Sequence, residues 1–165
     1  MKSTRKLSVL LFVMICFQQI TFSQEVKMIT TPDEMMSVLE TNKGSALLVN
    51  FWATWCPPCV KEFPDLVKLN NAYKDKGLKV IFVSLDDATD TETKLKPFLE
   101  KHGVDFTTYQ GIFPKPEELT DVIDKDWGGE IPVTYFYNKE GKKTASFIGG
   151  KKYEDFEKEV IKLLN

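Results

Sequence analysis

The stretch Phe51-Trp52-Ala53-Thr54-Trp55-Cys56-Pro57-Pro58-Cys59, FWATWCPPC, decides how the rest of the chain is read. It closes the run Ala46–Trp52, ALLVNFW, whose near-continuous apolar character reads as a strand buried on both faces. Two prolines follow. Proline suits the first turn of a helix, where its missing N–H has no partner anyway. A helix is therefore expected from about Pro57 to Tyr73, with Phe63, Leu66 and Leu69 on its buried side and Pro64 bending it. Cys56 then falls at the helix cap and Cys59 one turn inside. Two thiols so placed can close into a small disulfide ring and reopen. A helix N-terminus favours an anionic sulfur, so Cys56 is expected to be the more acidic, more exposed thiol and the attacking nucleophile, with Cys59 resolving the mixed disulfide. Pro57 and Pro58 offer no N–H, which leaves the Cys59 N–H as the nearest donor to the Cys56 sulfur. A thiolate with so few donors points to a reducing couple.

Outward from this centre the chain alternates. Val26 to Thr30 is a strand candidate. Thr31-Pro32-Asp33-Glu34 starts a helix as a capping box with proline at its first position, and Met35, Val38 and Leu39 give that helix an apolar face. LKVIFVSLD, Leu78 to Asp86, is a second buried strand, parallel to the first if the helix is a crossover. A helix is expected over Thr91–His102, a short extended segment over Val104–Tyr109 and an acidic helix over Pro116–Ile123. IPVTYFYNKEGKKTASFIGG reads as two strands around a turn at Asn138–Gly141, and Tyr153–Leu164 is an amphipathic helix. Parallel units leading into a terminal hairpin give an α/β architecture with a mixed sheet flanked by helices.

The first 23 residues read differently. Lys2, Arg5 and Lys6 precede the apolar Leu7–Phe17, and Thr21-Phe22-Ser23 offers small residues for cleavage, the pattern of a secretory signal peptide. The apolar core is short for a membrane span, although an uncleaved tether is the alternative. Cys16 belongs to this leader. The domain is then residues 24–165, exported and periplasmic. It is more acidic than the whole chain's net −2, which gives no reason to expect nucleic-acid binding. It keeps Cys56, Cys59 and His102 as soft ligands, fewer than a structural zinc site takes, so a metal site is not expected. A permanent structural disulfide is the other reading; so short a loop constrains little unfolded-state entropy.

LLVNFWATWCPPCVKEFPDL, with Pro64 and the Ile131-Pro132 pair before a strand, resembles the thioredoxin superfamily, and within it the TlpA/ResA group of exported thiol–disulfide oxidoreductases. The resemblance implies a thioredoxin fold with an extra helix and strand inserted before the strand that follows a cis-proline. It implies that Pro132 is cis beside the dithiol and that Ile131 helps bind an extended substrate segment, with Trp55, Pro57 and Pro58 completing the contact surface and Trp52 packing beneath. Glu62, three residues past Cys59 on the same helix side, matches a glutamate that affects dithiol titration in ResA-like members. It is either a general base for Cys59 or an inert exposed glutamate. Asn50 stands where simple thioredoxins carry a buried aspartate. His102 reads as a surface or helix-dipole residue. The Pro114–Trp127 stretch is longer than the group's pattern; it reads as a solvated loop and helix, or as a determinant of partner choice.

The leading reading is an exported reductase of disulfide-bearing client proteins, apocytochrome c among the candidates. A membrane dithiol donor would recharge it, without a cofactor and as a monomer. The alternatives are a disulfide oxidase or isomerase, a peroxiredoxin-type peroxidase, and a redox-inert or metal-carrying module using the same groove.

Overall fold

The computed structural model describes residues 25–165; the expected leader, with Cys16 and its cleavage site, lies outside them. Five α-helices and one six-stranded sheet are found among the described residues. β1 (Val26–Ile29), β2 (Ala46–Trp52), β3 (Leu78–Ser84), β4 (Thr108–Gly111), β5 (Val133–Tyr137) and β6 (Lys143–Ile148) are arranged in the order β1-β4-β3-β2-β5-β6. β1, β4, β3 and β2 run parallel, while β5 and β6 are antiparallel. The α/β mixed sheet and thioredoxin fold expected from the sequence are what the chain adopts.

β2 shows why. Its residues alternate between two cores. Leu48 and Trp52 face Phe63, Leu66 and Leu69 of α2 (Pro57–Tyr73) and Phe156 and Val160 of α5 (Tyr153–Leu164). Leu47, Val49 and Phe51 face Met35 and Leu39 of α1 (Pro32–Thr41). α1 begins with the expected capping box: the Glu34 N–H donates to Thr31 Oγ1 at 3.2 Å, and the Thr31 N–H to Glu34 Oε2 at 3.2 Å. α2 runs through Pro64 as one helix.

The inserted segment departs from expectation in two places. The single helix over Thr91–His102 is instead a wide π-type turn, Thr91–Leu95, followed by α3 (Lys96–Lys101). Pro97 has no N–H to return to the preceding turn, which removes one bond from the ladder and favours a new helix start around it. The strand expected over Val104–Tyr109 begins only at Thr108. Gly103, at φ +68°, ends α3 in a Schellman motif, in which Gly103 N–H donates to Glu100 C=O and Val104 N–H to Leu99 C=O. Val104 is thus consumed by the cap, and β4 starts where Thr108 N–H meets Glu25 C=O.

The Pro114–Trp127 stretch is not simply a solvated loop. α4 (Pro116–Ile123) buries Leu119 and Ile123 in the second core. Trp127 is buried with its ring 5.0 Å from Phe51 and 6.1 Å from Tyr135, and its Nε1–H donates to the Glu130 carbonyl at 2.8 Å. Trp127→Ala is expected to cost about 3–5 kcal/mol, the usual range for emptying a large aromatic site, measured as a lower urea midpoint. A midpoint unchanged from the parent would show the segment to be peripheral.

Candidate active site

β2 ends at Trp52 and α2 begins at Pro57, so the four residues between them turn the chain at the C-terminal edge of the sheet. Cys56 is the N-cap of α2, in extended conformation at φ −97° and ψ 104°, as the prolines required. Its sulfur is bonded to that of Cys59, with the Cα atoms 5.3 Å apart. The Cys59 N–H donates to Cys56 Sγ at 3.4 Å, the one backbone donor that the paired prolines leave. Cys56 is more exposed than Cys59, but only as 4% against 1%. The open sulfur expected from the sequence is therefore nearly covered in the disulfide form, with Pro57, Pro58 and Trp55 forming an exposed collar around it. Trp55 is 61% exposed, among the largest apolar surfaces of the described residues.

The opposite wall is the loop before β5. The Ile131–Pro132 peptide is cis, and the Ile131 carbonyl oxygen lies 3.7 Å from Cys56 Sγ. Pro132 is buried, and its own carbonyl accepts from Gly149 N–H at 2.8 Å. The resemblance placed these two residues beside the dithiol, and the fold brings them there.

Beneath the dithiol lies an aromatic stack. Trp52 is buried with its ring 4.4 Å from Phe63 and 5.0 Å from Phe98. His102, expected as a surface or a helix-dipole residue, is half-buried and packs its ring 4.4 Å from Phe98 and 5.7 Å from Phe63. Burial, and then the charge of Lys101, lower its pKa, which is the opposite of what a charged dipole partner needs.

Glu62 is not an exposed helix glutamate; it is 3% exposed. Its Oε1 accepts from the Asn50 side-chain amide at 3.2 Å, and its Oε2 from the Lys151 backbone N–H at 2.9 Å. The same Asn50 amide donates to Thr134 Oγ1 at 2.9 Å. Burial pushes the Glu62 carboxyl up to about 7, against the opposing pull of the Lys151 and Asn50 donors. Gly150 lies over it: a Cβ built there would sit 3.6 Å from Glu62 Oε2 and 3.6 Å from Pro58 Cβ, which is ordinary contact. The β6–α5 connection thus joins the proline loop, through Gly149, to the carboxylate, through Lys151.

Sequence reasoning missed a second carboxylate. Asp86 is fully buried after β3 and accepts from Thr54 N–H at 3.0 Å, Thr54 Oγ1 at 2.5 Å and Ser84 Oγ at 2.6 Å. It clasps the turn two residues before Cys56. Its signal was an acid at the end of an apolar strand, following Ser84, where a plain loop residue would have no reason to be buried. On the same edge, Asp86, Leu119, Trp127 and Gly129 help line a cavity of about 280 Å³.

Comparison with known proteins adds the following. Residues 23–145 match the model of the AhpC/TSA family. The chain is 32% identical over 119 residues to a thiol-disulfide oxidoreductase ResA of Bacillus cereus, covering 72% of this chain and 64% of that protein. It is 36% identical over 127 residues to a ResA of Oceanobacillus iheyensis, covering 76% of this chain and 58% of that one. The chain therefore spans less than two thirds of the length of either relative. Among solved structures, the crystal structure of a putative thiol:disulfide interchange protein DsbE from Chlorobium tepidum superposes with a TM-score of 0.62. It is 28% identical, with 77% of this chain and 85% of that one covered.

Proposed function

Since the chain belongs to the AhpC/TSA family, we propose that it is a thiol–disulfide oxidoreductase that reduces the disulfides of client proteins. The observation that carries this reading is the disulfide-bonded pair at the start of α2, with the Ile131 carbonyl 3.7 Å from the outer sulfur.

In the reduced protein the Cys56 thiolate attacks a client disulfide. One client sulfur leaves as thiolate and takes up a proton, and the other stays bonded to Cys56. Cys59, as thiolate, then attacks the Cys56 sulfur, expels the second client thiolate and leaves the Cys56–Cys59 disulfide. Two electrons pass to the client, and an external dithiol must return them before the next cycle. Glu62 takes the proton of Cys59 in the second step. Its position three residues along α2, its burial and a pKa of about 7 suit a base that exchanges protons near neutrality.

Ile131, ahead of Pro132, offers backbone to an extended client segment, and Trp55, Pro57 and Pro58 supply the rim. α4 and Trp127 help line the cavity that Asp86 shares on the same sheet edge, and client preference is assigned to it. The basic and apolar start of the sequence supports export to the periplasm, and an oxidising compartment calls for an electron supply, for which a membrane dithiol is the proposed source. No helix among the described residues is long and apolar enough to cross a membrane. Apocytochrome c with its cysteine pair oxidised is one client that such a location would allow.

Direction of electron flow is set by how well the Cys56 thiolate is stabilised. One N–H at 3.4 Å is a poor cradle, which favours the disulfide and makes the reduced form a willing donor. Equilibration with glutathione buffers is expected to place the couple at roughly −250 mV or lower, on the thioredoxin side of the range. A value near −120 mV, that of a strong oxidant, would turn the reading to oxidase.

A further inference from the structure

The end of the sheet opposite the dithiol contains a second cavity. β4 pairs with β3 only at Val83–Tyr109 and Ser84–Gln110, so the β3 edge over Leu78–Phe82 has no strand beside it on that side. The wedge left open there has a volume of about 590 Å³, within the usual range of small-ligand sites. Three lysines from three separate elements line it: Lys27 of β1, Lys74 after α2 and Lys79 of β3. Asp105 is the one acid in the lining, although the chain as a whole is net negative. Lys79 is held in place by donating to Asn42 Oδ1 at 2.6 Å, and Lys74 has no ion-pair partner among the described residues.

The second observation is independent of charge. Asn70, on α2, also lines this wedge and is only 6% exposed. Its side-chain amide makes no hydrogen bond within the described residues, and its polar atoms are not sealed from solvent. The amide is thus free to donate to a ligand oxygen seated in the wedge, in place of water. Leu78, Val80 and Phe106 give the wall an apolar part, beside the polar Asn42, Ser45 and Thr107.

We propose that this wedge binds a small organic anion, a carboxylate carried on an aromatic or branched apolar body. The carboxylate takes hydrogen bonds from the Asn70 amide and charge from Lys74 and Lys79. The apolar body lies against Phe106 and Val80. The site is remote from the dithiol and does not depend on the redox reading.

The probe is isophthalate, titrated into the protein and followed by ¹H–¹⁵N NMR. Saturable shifts are expected at the Asn70 side-chain amide, Lys79–Ile81 and Asp105–Thr107, in both redox states. Lys74→Glu and Lys79→Glu are each expected to weaken binding about tenfold, as loss of a charge contact in a half-enclosed site does. Asn70→Asp keeps the side-chain size and is expected to abolish binding; the same spectrum reports whether that variant is folded. Isophthalamide, the neutral analogue, is expected to bind at least about tenfold more weakly. The proposal is overturned by shifts that do not saturate, by shifts scattered over the surface, or by equal binding of the neutral analogue. It is also overturned if isophthalate affinity is unchanged in both lysine variants.

Discussion

Cys59→Ser is expected to turn the protein into a covalent trap. Cys56 keeps its place at the head of α2 and still attacks, but nothing behind it can expel the captured sulfur. Adducts should accumulate on non-reducing gels and vanish with dithiothreitol. Turnover should fall to background, a loss on the order of a thousandfold, because the two sulfurs act as a unit. Cys56→Ser is expected to trap nothing, since Cys59 is 1% exposed beneath the collar of Pro57, Pro58 and Trp55. Equal trapping by Cys56→Ser would reverse the assigned roles. Capture by neither variant would favour a redox-inert module.

Glu62→Gln is expected to change both stability and rate, each in a pH-dependent way. The carboxyl is raised from 4.5 to about 7 by burial, so across that window the folded protein holds a proton that the unfolded chain has released. The stability this contributes is complete below about pH 4.5 and is lost as pH rises to about 7, on the order of 3 kcal/mol in all. Glutamine does not titrate, so the variant should not show that loss. Urea unfolding at pH 5 and pH 8 measures the difference. Parallel stability curves for the two proteins would mean that Glu62 is not perturbed. In the reaction, the rate limb of the parent near pH 7 should move in the variant to about pH 8 or above, where an unaided thiol ionises. An unmoved limb, with the stability difference intact, would leave Glu62 a buried acid without a part in catalysis.

Much of this site was legible in the sequence because its logic is local. Proline at the first turn, cysteine at the cap and an apolar strand before them are decided by neighbours a few residues apart. The environment of Glu62 was not legible, because its partners come from β2, β5 and a backbone N–H at Lys151, and sequence spacing says nothing about those approaches. Asp86 was missed for the same reason: its value lies in Thr54, across two strands. The errors in the insertion had local causes that could have been read. Pro97 removes one N–H from the ladder and favours a new helix start around it, and Gly103 followed by Val104 is the signature of a Schellman end. Trp127 was taken with a stretch read as a solvated loop and helix, although a tryptophan has much to gain from burial.

The strand order has a consequence for how the molecule comes into being. Val26 pairs with Thr108, and nothing made between them can take that place. On a chain delivered from its N-terminus, β2, α2 and β3 can assemble early from near neighbours, while β1 waits for β4. The first of the described strands to emerge is thus among the last to be locked in. Until β4 is made, β1 has no strand to hold it in the sheet.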